Sequence, residues 1–288
     1  MSVHLVHVGY PKTGSTYLQS WFSRHPDILF EPYHLGGSAG PLGFAWQAVC
    51  GEAGKARVTS CEDLSVPAIR PEDWPRMAQA QRAVCDHLHA LFPSAHILII
   101  TRGWREVIRS AHSQLVAMGW HEQLETFLAS PAAQSVIPVV MDYDRLVSWY
   151  RELFGERVTV LPYELLRADP AAFLAVVEGI LGVVSGPISA AAENVRLSQA
   201  ELNAYPRIAN AIRKLPSRKL RKALTLLHVR MANSRLGPHV ARLVDRMVPV
   251  SAITELHLPD PVLQEILAGS TRLVEDPCYR DYAALYTG

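Results

Sequence analysis

The stretch Gly9-Tyr10-Pro11-Lys12-Thr13-Gly14-Ser15-Thr16 follows the apolar run Leu5-Val6-His7-Val8 and opens an amphipathic helical pattern from Ser15 to Ser23. A strand that turns through a glycine-bounded loop into a helix is the start of a βαβ unit, and it commits the chain to a parallel α/β sheet. The same turn suits phosphate, because a helix amino terminus presents unsatisfied N–H groups and the positive end of the helix dipole. In a Walker loop, G-x-x-x-x-G-K-[ST], the lysine follows the second glycine and reaches the β- and γ-phosphates, and the next hydroxyl holds Mg²⁺. Here Ser15 stands in that lysine position and the cation is Lys12, in the middle of the loop. The displacement points away from ATP chemistry and predicts that Lys12 leans over the 5′ group of a bound nucleotide.

Strand and helix alternate through residue 181. Arg57 to Cys61 reads as a short strand, Asp73 to Leu91 as a helix with Trp74, Met77, Ala80, Val84, Leu88 and Leu91 at helical spacing, and His96 to Ile100 as a central strand. A continuous apolar run of that kind marks a parallel strand covered on both faces. Helices are predicted over Trp104 to Met118 and Tyr143 to Phe154, with a strand at Arg157 to Leu161. Residues 31 to 56, rich in Gly and Pro, read as a long loop or lid. After Gly182 no strand of length is predicted, and segments 198 to 214, 217 to 232, 236 to 247 and 261 to 275 read as helices. The expected fold class is α/β, a P-loop-type three-layer fold with a central parallel sheet and a helical carboxyl-terminal part. One domain over 1–288 is expected, divided into a nucleotide-binding core at 1–182 and a helical subdomain at 183–288, with ligands at the carboxyl ends of the strands.

The formal net charge of +1 argues against a protein that coats nucleic acid. Cys50, Cys61, Cys85 and Cys278 show no C-x-x-C spacing, so neither a metal site nor a disulfide framework is predicted. No apolar run approaches the roughly 20 residues of a membrane span. The chain reads as soluble and cytoplasmic.

The second chemical motif is Ile99-Ile100-Thr101-Arg102-Gly103-Trp104-Arg105-Glu106-Val107-Ile108-Arg109-Ser110. A Walker B strand would end on an aspartate for Mg²⁺, whereas this one ends on Arg102, with Ser110 eight residues later on the next helix. A guanidinium fork plus a hydroxyl suits a phosphate dianion.

With both motifs in this order at strand ends, the chain resembles the sulfotransferases that use 3′-phosphoadenosine 5′-phosphosulfate (PAPS). Tyr10 to Tyr17 is similar to the family's 5′-phosphosulfate loop, and Arg102 with Ser110 to its 3′-phosphate motif. The stretch Tyr143 to Leu181, with Phe154-Gly155-Glu156-Arg157-Val158 and Tyr163-Glu164, is similar to the matching part of bacterial members, so the likeness runs over about residues 3 to 182. The resemblance implies that Lys12 contacts the bridging oxygen of the phosphosulfate and stabilises the leaving phosphate. It implies that Thr13, Gly14, Ser15, Thr16 and Tyr17 form the 5′-phosphate site and that Arg102 and Ser110 hold the 3′-phosphate. The co-substrate is PAPS and no metal is expected.

A general base is needed to take the acceptor's proton. Glu62, in Ser60-Cys61-Glu62-Asp63, and Glu31, after His25-Pro26-Asp27, both resemble family segments that carry glutamates, with Glu62 favoured; His34 is the third candidate. The bland reading of His34, His7 and His112 is packing or hydrogen bonding, and Trp104 and Trp120 read as core or rim aromatics. The basic stretch Arg213 to Lys222 leaves three readings open: a solvated helix face, a cover over the 3′-phosphate, or a peripheral attractor for an anionic lipid or glycan. Acceptor identity and oligomeric state stay open. The alternatives to a sulfotransferase are a small-molecule or nucleotide kinase and a non-catalytic phosphoadenosine-binding protein.

Overall fold

The computed structural model describes residues 3–32, 54–61, 64–67, 71–184, 197–234, 236–247 and 256–288, with the backbone alone at 31, 32, 71 and 247. It divides into two compact units, one of Met1–Trp104, Ser135–Ala192 and Asp260–Gly288, the other of Arg105–Gln134 and Glu193–Pro259.

The first unit holds a five-stranded sheet made of β1 (His4–Gly9), β2 (Ile28–Pro32), β3 (Ala56–Cys61), β4 (His96–Thr101) and β5 (Val158–Pro162), in the order β2-β3-β1-β4-β5. All four pairings are parallel, with His7 opposite Ser60 of β3 and Leu98 of β4. The chain fills one side of β1 and then crosses to the other, so the reversal point lies beside the carboxyl end of β1. Ligands of open α/β sheets bind at such points.

Alternate residues of the strands cover the two faces. Leu5, Val58, Leu98 and Ile100 share a core with Leu18, Trp21 and Phe22 of α1 (Ser15–Arg24) and with Phe173, Leu174 and Val177. The last three sit on a later helix, Pro170–Leu181. Val6, Val8, Ile97 and Ile99 of the other face are buried too. The helix Tyr143–Phe154 lies against β4 and β5 there, with the helix Met77–Leu91 beside it. Burial of one such Leu, Ile or Phe side chain stabilises by about 1.5–3 kcal/mol. In chain order these helices are α2 (Met77–Leu91), α3 (Trp104–Ala117), α4 (Leu124–Leu128), α5 (Pro131–Met141), α6 (Tyr143–Phe154), α7 (Tyr163–Ala168) and α8 (Pro170–Leu181). Asp142 caps α6 by accepting from Arg145 N, and Asp169 caps α8 by accepting from Ala172 N.

The second unit is helical. Beside α3 and α4 it contains α9 (Gln199–Arg213), α10 (Arg218–Ala232) and α11 (Gly237–Met247). Val116, Ala204, Tyr205, Ala232 and Ala241 form its core. Ser198 and Glu201 close a capping box at the start of α9, where Glu201 also accepts from Tyr205 Oη at 3.0 Å.

The α/β fold with its parallel sheet and helical carboxyl-terminal part agrees with the sequence reading. Three details differ. β2 falls where no strand is predicted, because its apolar run is only Ile28-Leu29-Phe30. α4 and α5 occupy residues assigned no element. The helix read over 261 to 275 stops early: α12 (Asp260–Ala268) ends before Gly269, where a Cβ would meet Asp142 Cα at 2.7 Å.

Candidate functional site

The loop after β1 is held from below by buried polar bonds. Ser65 Oγ donates to Gly9 O at 2.7 Å, Gln81 Nε2 to Ser65 O at 2.8 Å, and Thr13 Oγ1 to Tyr10 O at 2.6 Å. Tyr10 is buried edge-on against Tyr143, with ring centroids 4.9 Å apart. The loop closes through two left-handed residues, Lys12 at φ 68° and Gly14 at φ 85°. Glycine is required at 14 twice over, since its φ is unfavourable for a side chain and a Cβ would meet Leu166 Cδ2 at 2.7 Å. Lys12 is the exception among the described residues, a non-glycine at positive φ, and strain of this kind collects at functional positions.

Helix α1 starts at this loop with Gly14 as its N-cap and no side-chain cap bond, unlike α6, α8 and α9. Its first N–H groups therefore keep their capacity for an acceptor. Ser15 in the first turn is 2% exposed, and its Oγ is buried without a hydrogen-bond partner. Beneath it His7 is fully buried. Gln19 Nε2 donates to Ser60 Oγ at 3.1 Å, and Ser60 Oγ meets His7 Nδ1 at 2.8 Å. Where the Ser60 hydroxyl donates onward to Nδ1, the ring proton is on Nε2. That Nε2 is also buried and unpartnered. Both groups crowd Gly9, where a Cβ would lie 2.9 Å from Ser15 Oγ and 3.1 Å from the His7 ring.

Burial lowers the His7 pKa from 6.5 to about 4. Between these values the unfolded chain binds a proton that the native state does not, so stability contributed at this site is complete above about pH 6.5 and falls as pH drops toward 4. His7→Gln removes roughly 3 kcal/mol of that acid sensitivity. Urea unfolding at a series of pH values reads it, and an identical pH slope in the variant refutes the assignment.

Arg102 lies at the end of β4, 3% exposed. Its Nη1 donates to Lys12 O at 2.7 Å, and its guanidinium carbon stacks over the Tyr163 ring at 4.6 Å from the centroid. The arginine thus ties the strained lysine to the end of its own strand. Its backbone is fixed in turn: Tyr143 Oη donates to Arg102 O at 2.8 Å, and Gly103 N donates to Glu164 Oε1 at 3.0 Å. Glu164 Oε2 accepts from Tyr286 Oη at 2.8 Å. Trp104 is core, with its Nε1 donating to Gly288 O at 3.3 Å.

The structure therefore brings Lys12, Gly14, Ser15, Arg102 and Tyr163 together in the first unit. Thr13 is buried, Thr16 exposed, and the Tyr17 hydroxyl is buried without a partner. Ser110 is buried on α3, within the second unit, where it lines a cavity of about 220 Å³ with Arg109, Ser113, Gln123 and Asn203. His112 packs in that unit with its ring nitrogen 3.0 Å from Glu122 O. Glu31 is in β2, in register with Thr59 of β3. Glu62 and His34 lie outside the described residues. Among the described residues no group of three His, Cys, Asp or Glu is placed to hold a metal ion, and no helix is long and apolar enough to cross a membrane.

Tyr163 and Glu164 carry no role in the sequence reading beyond their likeness to a family segment. A signal was present, since an aromatic and a carboxylate directly follow the strand Val158–Pro162 at the ligand end of the sheet.

A parallel sheet whose central strand feeds a helix without a side-chain cap through a glycine-bounded loop is an α/β fold of P-loop type. Residues 78–184 match the family model described as "Sulfotransferase family". The matched stretch includes Arg102 and Ser110 and begins after the Lys12 loop. Among solved structures, a sulfotransferase from Alicyclobacillus acidocaldarius is 19% identical, with 88% of this chain and 98% of that one covered and a TM-score of 0.48. The sulfotransferase domain of the Synechococcus PCC 7002 olefin synthase is 15% identical over 78% and 93%, at 0.43. Mouse sulfotransferase SULT7A1, complexed with PAP, is 16% identical over 85% and 89%, at 0.36. No curated protein matches the chain.

Proposed function

We propose that the enzyme transfers a sulfuryl group from PAPS to a hydroxyl or amine of a glycan, lipid or small-molecule acceptor. The observation that carries this reading is the uncapped start of α1, with Ser15 Oγ buried and unpartnered beside the strained Lys12. Phosphate oxygens satisfy both the helix N–H groups and the serine hydroxyl. Backbone N–H groups from Thr13 to Thr16, with the Ser15 and Thr16 hydroxyls and Tyr17 beside them, take the 5′-phosphate. Lys12 faces the oxygen between phosphorus and sulfur. As the acceptor oxygen or nitrogen bonds to sulfur, the bond from sulfur to that bridging oxygen breaks, and charge grows on the leaving phosphate. Ammonium charge placed there acts most strongly in the transition state.

Arg102 is assigned to the 3′-phosphate together with Ser110, which follows it by eight residues in the sequence motif. The acceptor's proton goes to a carboxylate, with Glu62 and Glu31 as the two assignments. In single-turnover transfer, Glu→Gln at the true base lowers the rate by about 10²–10⁴-fold, and the variant that keeps its rate excludes that residue.

A ligand that binds only the native state raises the melting temperature. Adenosine 3′,5′-bisphosphate without metal is expected to stabilise the protein, with ADP and with ATP plus Mg²⁺ markedly weaker. Stabilisation by ATP with Mg²⁺ alone would replace this reading with a kinase.

A further inference from the structure

The segment between Glu201 and Asp245 holds ten Lys or Arg residues and no Asp or Glu, in a chain whose net charge is only +1. Part of this charge converges on one concave place in the second unit. The carboxyl end of α9 and the amino end of α10 line an opening of about 400 Å³ with Arg213, Arg218, Arg221 and Lys222, joined by His121 and Thr225. None of the four cations pairs with a carboxylate among the described residues. Arg221 is half-buried and fixed, since its Nη1 donates to Leu215 O at 2.8 Å.

On a solvated helix face, lysines and arginines are usually spaced three or four residues from acidic partners. Here the neighbours at that spacing are Arg218 with Arg221 and Arg218 with Lys222, both like-charged. α10 adds the positive end of its dipole, with Ser217 as N-cap and no acidic residue in its first turn. The acidic side chain nearest in sequence is Glu122, 3.8 Å from the His121 ring. Burial, and then the charge of Arg213, lower the proton affinity of that ring. Converging like charges of this kind repel one another unless an anion sits among them.

We propose that this concavity binds the phosphate or sulfate group of an anionic ligand. The opening is of ligand-pocket size, and its lining offers guanidinium forks that match a tetrahedral oxyanion. Leu226 and Leu227 of α10 are exposed, a feature suited to a headgroup at a bilayer surface, so the ligand's phosphate has two possible sources that experiment separates.

The test uses the full chain and the exposed double variant Arg218→Ala/Lys222→Ala. Binding is measured to inorganic phosphate, to inorganic sulfate, and to phosphatidylcholine vesicles with and without phosphatidylglycerol. The wild type is expected to bind at low salt, and the variant roughly tenfold more weakly, with the same affinity as the wild type for adenosine 3′,5′-bisphosphate. Variant-sensitive binding of the free anions assigns a soluble ligand, and binding confined to phosphatidylglycerol vesicles assigns a lipid headgroup. The proposal is overturned if the wild type binds no probe or if the variant binds every probe equally well. A parallel loss of bisphosphate affinity also overturns it, since the cluster then serves the donor nucleotide. Failure on any of these counts leaves the sulfotransferase reading standing, because that reading rests on the Lys12 loop and the start of α1.

Discussion

Lys12→Ala lowers sulfuryl transfer by about 10²–10³-fold and leaves the affinity for adenosine 3′,5′-bisphosphate within roughly twofold. The asymmetry follows from where the proposed mechanism places the ammonium. Charge on the bridging oxygen is small in the bound co-substrate and grows as sulfur leaves it, so the interaction is made chiefly in the transition state. Lys12→Gly separates the amine from the backbone. The lysine sits at φ 68°, a conformation that costs a non-glycine residue roughly 1–2 kcal/mol and glycine little. The glycine variant is therefore expected to be as inactive as the alanine variant yet more stable, by about 1 kcal/mol, in urea unfolding. Equal loss of turnover and bisphosphate affinity in both variants would remove Lys12 from the chemical step.

Arg102→Ala has the second large effect, and it falls on the fold as well as on the ligand. The family resemblance assigns this arginine to the 3′-phosphate, which predicts a loss confined to 3′-phosphorylated nucleotides. Its bond to Lys12 O and its stacking on Tyr163 extend that expectation. Deleting the guanidinium strips a part-buried carbonyl of its donor and empties the space over an aromatic ring, at a cost of about 2–4 kcal/mol. It also frees the loop proposed to hold the 5′-phosphate, so adenosine 5′-phosphosulfate is expected to weaken along with the bisphosphate. Arg102→Lys restores neither, because an ammonium cannot both donate in that fixed direction and lie flat on the ring. Unfolding midpoints and calorimetric affinities for the two nucleotides decide the matter. An unchanged midpoint in the alanine variant would show that the arginine serves the ligand alone.

Local chemistry accounts for what the sequence made legible. β1 and β4 were readable because a buried parallel strand needs an unbroken apolar run, as in Ile97-Leu98-Ile99-Ile100. The loop was readable because two glycines bracket it between a strand and a helix. β2 was not, since three apolar residues beside a proline give too short a pattern. The end of α12 was hidden for another reason: the close approach of Gly269 to Asp142 is a tertiary fact, and a glycine in a helical pattern does not announce it. The left-handed backbone of Lys12 is equally silent, because lysine carries no preference for it. Arg102 illustrates the remaining gap. Its residue type and position suggested a ligand, but that it holds Lys12 in place depends on strands brought side by side across 90 residues of chain.

The central place of β1 bears on how the chain folds. It precedes the other four strands of its sheet in the chain, yet its hydrogen-bond partners are β3 and β4, so residues 4–9 wait for residues 56–61 and then 96–101. Non-local parallel pairing of this sort pays its loop-closure entropy before it gains contacts and is correspondingly slow. Until β4 has emerged from the ribosome, Leu5, Val6 and Val8 are an apolar strand with an open edge, the kind of segment that associates with other chains. The Lys12 loop, though encoded by residues 9–16, is among the later parts of the sheet's surroundings to take shape.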